Sequence, residues 1–333
     1  MQLFVTGGSG FIGSNFIRWV LDHVDDEVRI TNFDALTYAG NPANLADRED
    51  DPRYTFVRGD VRDAAAVAAA MEGHTAVVNF AAESHVDRSI DGPSVFLETN
   101  VVGAGNVFEA ARRLGVAHCL HISTDEVYGS IEEPGSFVEG DPLEANSPYS
   151  VSKAAADLLA RSYGITYDYP VTVTRTTNNF GPYHYPEKVI PLFVTNLVDG
   201  RKLPLYGDGG NVRDWLYVHD NAEAQWLVLT EGTPGEVYNV GGGNELSNLE
   251  LTAAILDRFG AGEEMIERVA DRPGHDRRYS VDSAKVRALG WRPRHTFDDA
   301  LDRTVAWYRD HEDWWRPLKD GGASQRRGGV AGT

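Results

Sequence analysis

TGGSGFIGSN, residues 6–15, joins a short apolar run to an amphipathic stretch, so it lies between a predicted strand and a predicted helix. Its glycines Gly7, Gly8, Gly10 and Gly13 satisfy both GxxGxxG and GxGxxG spacing. Because glycine lacks a Cβ atom, the backbone can turn tightly here and approach a pyrophosphate at the positive end of the helix. Glycine-rich turns are common, so the motif indicates a dinucleotide site only in the right context.

An acid further along the chain supplies that context. Asp34 ends the next predicted strand, about 20 residues after the glycines, where a carboxylate binds the hydroxyls of a ribose. A carboxylate there repels a 2′-phosphate, so the pattern favours NAD over NADP. Asp60 and Val61 follow the third predicted strand, and we expect them to meet the adenine. The alternative, a structural turn followed by a surface Asp, fits this combination poorly.

Strands and helices alternate over about the first 180 residues. Strand, helix, strand in that order predicts a doubly wound α/β fold, in which helices cover both faces of a parallel sheet. The predicted strands are Leu3–Thr6, Val28–Phe33, Tyr54–Val57, Ala76–Phe80, Ala117–Ile122 and Val171–Arg175.

The pattern changes beyond Asn179, where Pro, Gly and Tyr become frequent and the helices become shorter. This change predicts a smaller mixed α/β domain that covers the ligand. Two later apolar runs, Asp214–Val218 and Val237–Val240, are typical of strands, and we expect them to rejoin the main sheet. The predicted organisation is a dinucleotide-binding domain at 1–178 with 214–243 returning to it, a substrate-binding domain at 179–213 and 244–317, and a disordered tail at 318–333.

The composition argues against several classes of partner. With 31 Lys plus Arg against 50 Asp plus Glu, the net charge of −19 repels nucleic acid and anionic lipid. No apolar run approaches the roughly 20 residues that cross a bilayer, and no basic leader precedes the first strand. The single cysteine, Cys119, rules out an internal disulfide framework. We therefore expect a cytoplasmic protein with no nucleic-acid partner, no membrane partner and no metal site.

Tyr149 and Lys153, in SPYSVSKAAAD, lie one turn apart on a predicted helix after the fifth strand, so their side chains share one face. A free tyrosine has a pKa of about 10, which makes it a poor base at neutral pH. A neighbouring ammonium and a cationic nicotinamide ring both favour the phenolate. Such a phenol can take the proton of a sugar hydroxyl while hydride leaves the same carbon. By itself the pair would be a solvated surface feature, but its position after a dinucleotide motif favours a function.

Thr124, Asp125 and Glu126, in HISTDEVYG, follow the fifth strand directly, at the carboxyl edge where open α/β sheets place their ligands. Two adjacent carboxylates can divide the work of a dehydration, because one removes a proton alpha to a carbonyl while the other protonates the departing hydroxyl. Thr and Asp are also good helix N-caps. The residues alone do not rank these two interpretations.

Longer segments carry a resemblance to a known family. Over about residues 1 to 317 the chain resembles the extended short-chain dehydrogenase/reductase family, and TDEVYG resembles its dTDP-glucose 4,6-dehydratases, because related epimerases usually have small or hydroxylic residues at positions 125 and 126. Two departures from the commonest pattern are Phe180, where Tyr is usual, and His184, where Gln is frequent. The other matching segments are FDALTYAGN (33–41), AAESHVDRSI (81–90), NNFGPYHYPEK (178–188), LPLYGDGGNVRDW (203–215) and DRPGHDRRYS (271–280).

The resemblance implies a Rossmann-type sheet, a homodimer and a cycle in which NAD is recycled. Tyr149, beside Lys153, would deprotonate the C4 hydroxyl of the hexose as hydride passes to NAD, while Thr124 would hold the same oxygen. Glu126 would then remove the C5 proton and Asp125 would protonate the C6 hydroxyl, so that water leaves. NADH would finally reduce C6. The product would be dTDP-4-keto-6-deoxyglucose.

The same resemblance implies the binding positions. It matches Arg213 to the diphosphate and residues 204–206 to the thymine, whereas His85, Asp87 and Arg88 either contact the ligand or brace their loop. The implied NAD positions are Gly7, Gly10, Phe11, Ile12, Gly13, Asp34, Leu36, Thr37, Asp60, Val61, Ala81, Ala82, Ser84, Thr99, Tyr149, Lys153 and Asn179. The implied nucleotide-sugar positions are Ser84, Thr124, Asn178, Lys188, Val189, Pro204, Tyr206, Arg213, Asn248, Asp271, Arg272 and His275.

Three other functions use the same fold. A nucleotide-sugar 4-epimerase shares NAD, Tyr149 and Lys153 but needs no eliminating acid and base, so Asp125 and Glu126 disfavour it. A decarboxylase of the UDP-glucuronate type is disfavoured by the Thr-Asp-Glu triplet and the long matching segments. A catalytically inactive NAD-binding protein is disfavoured by the intact catalytic set. The sequence thus predicts an NAD-dependent dehydratase of a nucleotide-activated hexose.

Overall fold

The chain alternates strands and helices from its start. In the computed structural model, which describes residues 1–25, 27–271 and 274–327, the strands are β1 (Gln2–Thr6), β2 (Arg29–Asp34), β3 (Tyr54–Arg58), β4 (Ala76–Asn79), β5 (His118–Thr124), β6 (Thr172–Thr176), β7 (Asn178–Phe180), β8 (Leu203–Tyr206), β9 (Val212–Tyr217), β10 (Val237–Val240), β11 (Glu245–Ser247) and β12 (Ile266–Val269). The α-helices are α1 (Phe11–His23), α2 (Ala64–Met71), α3 (Val86–Asp91), α4 (Pro93–Phe96), α5 (Ala104–Leu114), α6 (Pro148–Tyr167), α7 (Val189–Val198), α8 (Val218–Glu231), α9 (Asn248–Phe259), α10 (Ala284–Ala288), α11 (Phe297–Asp310) and α12 (Glu312–Arg327). A π-helical segment, Leu97–Gly103, joins α4 to α5.

Seven strands form a central sheet in the order β3-β2-β1-β4-β5-β6-β10. Every neighbouring pair in this sheet is parallel. The order reverses at β1, which has β2 on one side and β4 on the other, and such a reversal opens a crevice at the carboxyl ends of the strands. The predicted doubly wound parallel sheet is therefore confirmed, and all six predicted strands belong to it.

Helices cover both faces of the sheet. On one face α1 packs against α8, and Phe16, Ile17 and Val20 of α1 are buried because they fall on one side of an amphipathic helix. On the other face α2, α5 and α6 enclose a second core that includes Phe108. Each fully buried side chain of this size contributes about 1.5–3 kcal/mol relative to an exposed one, so the two cores hold the sheet rigid beneath the crevice.

The second domain has its own small sheets and its own core. One sheet has the order β11-β9-β7, and β12 pairs with β8 in the other. Helices α7, α9, α11 and α12 surround a core in which Trp315 is fully buried. The chain interleaves the two domains, because β10 returns to the large sheet after β7, β8 and β9 have entered the second domain.

One of the two predicted returning strands does not rejoin the main sheet. The run Val237–Val240 forms β10 beside β6, but the run Asp214–Val218 falls largely in β9, which pairs with β7 and β11. The prediction for Asp214–Val218 is wrong because Trp215 and Tyr217 pack in the core of the second domain, which fixes β9 there.

The end of the described chain is helical. Helix α12 continues to Arg327, so it extends into the predicted tail, and residues 328–333 lie outside the described ranges. Arg316 and Lys319 both pair with Asp199 at the end of α7, at 2.8 and 2.9 Å, which anchors the helix to the second domain. Within the described ranges, no helix combines the length and apolar character that crossing a membrane needs.

Candidate active site

A cleft of about 380 Å³ lies at the carboxyl edge of the large sheet, beside the reversal of strand order. Residues at the ends of successive strands line it, among them Gly7 after β1, Asp34 in β2, Gly59 after β3 and Thr124 in β5. Lys188, Val189 and Trp215 of the second domain also line the cleft. The site therefore lies between the two domains.

The glycine loop forms one end of this cleft. Gly7 has φ +69°, and a Cβ atom there would lie 2.6 Å from the backbone nitrogen of Ala81, so a side chain would collide with the next strand. A Cβ atom on Gly13 would lie 2.4 Å from the carbonyl oxygen of Gly7. Gly10 is the N-cap of α1 and has no side chain to occupy the N–H groups of the first turn. These groups and the helix dipole fit a pyrophosphate.

Asp34 is 7% exposed and lines the cleft beside the glycine loop. Its Oδ2 accepts the Ser9 N–H at 2.9 Å and its Oδ1 accepts the Leu36 N–H at 2.8 Å. Burial raises the pKa of Asp34, and these two hydrogen bonds oppose that rise. Leu36 does not line the cleft. Its backbone, at φ 54°, contacts Asp34 only through the N–H group. The two backbone donors hold the carboxylate where ribose hydroxyls can reach its remaining lone pairs.

Most of the predicted NAD positions come together here. Apart from Leu36, the following line the cleft: Gly7, Gly10, Phe11, Ile12, Gly13, Asp34, Thr37, Asp60, Val61, Ala81, Ala82, Ser84, Thr99, Tyr149, Lys153 and Asn179. The residues fit an extended dinucleotide, because a phosphate cradle and a ribose acid lie at one end and the Tyr149–Lys153 pair at the other.

Tyr149 and Lys153 lie in the first turns of α6, which begins with a Ser147–Ser150 capping box. Both side chains line the cleft, and Lys153 Nζ donates to the carbonyl oxygen of Ile122 at 2.6 Å. Burial lowers the pKa of Lys153 to about 8. Burial also raises the pKa of Tyr149 well above its usual value, with the charges of Glu126 and Asp125 acting in the same direction.

These shifts differ from the sequence-based argument in one respect. The sequence argument has the Lys153 ammonium favouring the Tyr149 phenolate, yet in the chain alone a side-chain hydrogen bond with Thr124 is what opposes the rise in the pKa of Tyr149. Burial is the main cause of the raised pKa of Tyr149, because a phenolate in the cleft wall loses solvation that an exposed phenolate keeps.

The Thr-Asp-Glu triplet lies at the junction of β5 and a 3₁₀ turn, Asp125–Tyr128. Thr124 caps this turn, since its Oγ1 accepts the Glu126 N–H at 3.3 Å, and it also donates to Asp125 Oδ1 at 3.2 Å. Thr124 and Glu126 line the cleft, whereas Asp125 is 2% exposed and does not line it. The structure thus shows Thr124 capping a turn and Glu126 facing the cleft, and the division of acid and base work between the two carboxylates stays a prediction.

Asp125 is the most perturbed of these acids. Burial raises its pKa well above the usual value, the charges of Glu126 and Asp214 add to the rise, and Arg213 opposes it. Among the described residues nothing hydrogen-bonds its Oδ2. A raised pKa favours the protonated form of Asp125, while Glu126 reaches the open cleft.

A second group of predicted residues gathers in the small domain. Arg213 is 6% exposed, donates to the Asp276 carbonyl at 2.9 Å and stacks 4.1 Å over the ring of Tyr279. His275 bonds Asp271 at 2.7 Å, and its ring lies 6.4 Å from that of Tyr206. Arg213, Pro204, Tyr206, Asn248, Asp271 and His275 form this small-domain group; none of them lines the cleft. Arg272 lies outside the described residues.

Lys188, Val189, Asn178 and Ser84 line the same cleft as the predicted NAD positions. Lys188 Nζ donates to the Ser84 carbonyl at 2.9 Å. This contact joins the two domains across the cleft.

Helix α3, which carries Asp87 and Arg88 and has His85 as its N-cap, lies beside one wall of the cleft. Arg88 stacks 3.7 Å over the ring of Tyr38, which lines the cleft. His85 Nε2 lies 3.9 Å from Glu187 Oε1. The two positions that depart from the family pattern also have clear surroundings: Phe180 packs against Trp215, Tyr217 and Phe297 outside the cleft, and His184 stacks 4.1 Å from Phe11 inside it.

Sequence reasoning missed several side chains near the site. Tyr38, Glu83 and Glu187 line the cleft, and burial raises the pKa of Glu83. Tyr279 lies close enough to Glu126 for the carboxylate to raise its pKa further, after burial. Glu187 and Tyr279 occur within the matching segments NNFGPYHYPEK and DRPGHDRRYS, but nothing in their spacing distinguishes them from neighbours.

Comparisons with known proteins agree with this geometry. A family model described as GDP-mannose 4,6 dehydratase matches residues 4–304. A dTDP-glucose 4,6-dehydratase of Streptomyces antibioticus is 53% identical over 324 residues, which cover 96% of this chain and 96% of that one. The crystal structure of DesIV, a dTDP-glucose 4,6-dehydratase from Streptomyces venezuelae with NAD bound, matches with a TM-score of 0.93 and 55% identity, covering 96% of this chain and 100% of that one.

An epimerase structure is more distant. The UDP-glucose 4-epimerase of Thermus thermophilus in complex with NAD matches with a TM-score of 0.84 and 31% identity, covering 93% of this chain and 100% of that one. The whole chain therefore resembles a dehydratase more closely than this epimerase.

Proposed function

This chain belongs to the family described as GDP-mannose 4,6 dehydratase, and from that premise we propose that it is an NAD-dependent dehydratase converting dTDP-glucose to dTDP-4-keto-6-deoxyglucose. The observation that carries the proposal is the position of Glu126, which lines the same cleft as Tyr149 and Lys153. An enzyme that only moves hydrogen at C4 needs the tyrosine and lysine but has no use for an additional base. The choice of a dTDP-sugar follows the relatives, which are 53 and 55% identical over 96% of this chain.

The residues fit NAD. Gly7, Gly10 and Gly13 keep the backbone clear for the pyrophosphate, and Asp34 accepts the ribose hydroxyls. When bound, NAD supplies a two-electron acceptor for C4 and later the donor for C6. The carboxylate of Asp34 repels a 2′-phosphate and so selects NAD over NADP.

Tyr149 takes the proton of the C4 hydroxyl. Thr124 hydrogen-bonds the same oxygen, as it hydrogen-bonds the tyrosine in the chain alone. At pH values below about 8, Lys153 carries a positive charge near Tyr149. This charge favours the phenolate that the step needs.

Oxidation at C4 makes the proton at C5 acidic, because C5 then lies alpha to a carbonyl. Glu126 removes that proton from the open side of the cleft. Asp125 does not line the cleft in the chain alone; it lies buried behind Glu126 with its pKa raised, and we propose that it delivers its proton to the C6 hydroxyl once substrate is bound. The C5–H and C6–O bonds break, a C5–C6 double bond forms, and one water leaves.

The small-domain group binds the nucleotide end of the substrate. Arg213 and Lys188 supply positive charge for the diphosphate in a chain whose net charge is −19. Pro204 and Tyr206 frame the thymine, with the ring of His275 6.4 Å from that of Tyr206, and Asn248 contributes from the start of α9. This arrangement leads the sugar into the cleft that Lys188 and Val189 line.

Label transfer tests the reaction. With dTDP-glucose carrying deuterium at C4, the proposal predicts that the label appears at C6 of the 4-keto product, because a single cofactor removes and returns it within one turnover. Mass spectrometry and NMR of the product locate the label. Label kept at C4 supports an epimerase, and protein that holds NAD but changes no nucleotide glucose supports a binding protein; either result contradicts the proposal.

We also propose that the protein is a homodimer built on α6. Val151, Leu158 and Ile165 recur every seven residues along this helix and are 48, 57 and 68% exposed, so they form an apolar stripe. Leu97 and Val102 of the neighbouring π-helical segment extend it. A sevenfold apolar repeat suits packing against another helix, and a second copy of the chain presents the same stripe.

Charge placed on the stripe should separate the subunits. A Leu158→Lys/Ile165→Lys variant is expected to elute with half the mass of the wild type in size-exclusion chromatography with light scattering, because two ammonium groups oppose their copies in the interface. Leu249→Lys, at a residue 42% exposed in the second domain, is the matched control and should keep the wild-type mass. A stripe variant of unchanged mass would remove α6 from the interface.

The cytoplasm is the proposed location. Cys119 is 3% exposed, and burial raises its pKa to about 12, so it stays a thiol packed in the core. A chain with this one cysteine gains nothing from an oxidising compartment.

A further inference from the structure

Lys153 is a buried cation that needs a partner. It is 4% exposed, and its Nζ donates a hydrogen bond to the neutral carbonyl oxygen of Ile122, at 2.6 Å. Burial alone lowers the pKa of an ammonium, because water no longer stabilises its charge. Some neighbouring anion must therefore keep Lys153 charged at neutral pH if it is to assist Tyr149.

Asp157 lies one turn beyond Lys153 on α6 and is also 4% exposed. Its charge raises the pKa of Lys153, against the larger effect of burial. Residues one turn apart on a helix share a face, so Asp157 lies next to Lys153 on the side away from the cleft. Asp157 does not line the cleft and has no access to the substrate.

Arg175 of β6 fixes the carboxylate from the other side. Its Nε donates to Asp157 Oδ2 at 2.8 Å, and its Nη1 donates to the Tyr128 hydroxyl at 2.7 Å and to the Glu139 carbonyl at 3.2 Å. Arg175 is 5% exposed, and a buried carboxylate bonded to a guanidinium favours its ionised form. Burial raises the pKa of Asp157, and Arg175 is the largest of the effects that oppose it.

Strand β5 packs against the remaining side of the Asp157 carboxylate. His121 Nε2 lies 3.9 Å from Asp157 Oδ1, and Ser123 lowers the pKa of the carboxylate from the same strand. Burial lowers the pKa of His121 well below its usual value, and Lys153 lowers it further, so the imidazole is neutral. The charged groups that face Asp157 from the packed elements are thus Lys153 and Arg175.

We propose that Asp157 is a positioning residue for the Tyr149–Lys153 pair: held by Arg175, its carboxylate keeps the buried Lys153 ammonium charged while the Ile122 carbonyl holds Nζ in place. The proposal rests on the proposed role of Lys153 in the dehydratase cycle. It assigns a function to a charged pair that touches neither cofactor nor substrate.

The pH profile of kcat/KM tests this proposal, because its alkaline limb follows the loss of the lysine proton. In Asp157→Asn the limb is expected to move to lower pH by about one unit, and the rate at pH 8 to fall roughly tenfold, since one pKa unit corresponds to a tenfold change in protonation. At the low-pH plateau KM should stay within about twofold of the wild type, because substrate contacts are unchanged. Asp157→Glu, which keeps the charge, should restore the wild-type limb.

The matched control is Asp220→Asn, which removes a carboxylate that is 2% exposed and bonded to His295, far from α6. Its alkaline limb should overlay that of the wild type. If Asp157→Asn fails to fold because Arg175 is left unpaired, Asp157→Leu/Arg175→Met replaces the pair as a unit, a change that is often tolerated, and should show the same shift.

Two results would overturn the proposal. An unchanged limb in either folded variant would show that Asp157 does not set the charge of Lys153, and an equal loss of rate at every pH would indicate a purely structural role. Neither result affects the proposed dehydratase activity, because the product formed by the wild type tests that activity separately.

Discussion

In a Glu126→Gln variant, oxidation at C4 is expected to continue while elimination of water slows by about 10²–10⁴-fold, the usual contribution of a general base. The amide keeps the size of the side chain in the cleft but has no lone pair basic enough to take the C5 proton. Reduced cofactor should then build up after dTDP-glucose is added and persist, because C6 is never made ready for reduction. Absorbance at the NADH band follows this step, and chromatography of the nucleotide sugars follows the product.

Exchange at C5 gives a second readout. In deuterated water the wild type should place solvent deuterium at C5 of its product, whereas the Glu126→Gln variant should leave C5 unlabelled. Glu98→Gln makes the same chemical change at a side chain 60% exposed and should behave as the wild type. If the Glu126 variant eliminates water at the normal rate, Glu126 is not the base.

A Tyr149→Phe variant should fail one step earlier. Removing the phenol leaves the C4 hydroxyl without its proton acceptor, so both oxidation and product formation are expected to fall by about 10²–10⁴-fold. No reduced cofactor should appear on mixing with substrate, in contrast to the Glu126 variant. Rapid-mixing absorbance separates the two outcomes within one experiment.

Tyr163→Phe is the matched control for this change. Tyr163 lies on the same helix but does not line the cleft, and its hydroxyl hydrogen-bonds Glu109 of α5. Removal of this hydroxyl should leave the rate within about twofold of the wild type, because the ring stays packed in the core and the lost group lies outside the cleft. Normal accumulation of reduced cofactor in Tyr149→Phe would assign the C4 proton to another group.

The fold and the family were predictable from the sequence, and the structure, the family model and the relatives confirm both. The reason is that these features depend on local patterns: apolar runs of strand length, glycines where a Cβ atom would collide, and an acid at the end of β2. The tyrosine and lysine are likewise separated by a fixed helical spacing. The roles of the individual site residues stay predictions.

The features that escaped the sequence depend on tertiary contacts. An apolar run at 214–218 predicts a strand, but only packing against the second core decides which sheet it joins. Asp157 is, by sequence, an ordinary helical aspartate near a lysine, because nothing local reveals that Arg175 reaches it from β6. The direction of the Tyr149 pKa likewise follows from burial, which one sequence cannot measure.

The return of β10 to the large sheet limits how this protein can be divided. A fragment that stops at residue 178 would keep the glycine loop and the catalytic tyrosine yet leave β6 as a bare edge, open to pairing with other chains. We propose that the segments around 203–213 and 271–276 bind the nucleotide. Grafting these segments from a relative is therefore a better way to change nucleotide specificity than swapping whole halves of the gene. Evolution faces the same constraint, since neither half can be inherited without the other.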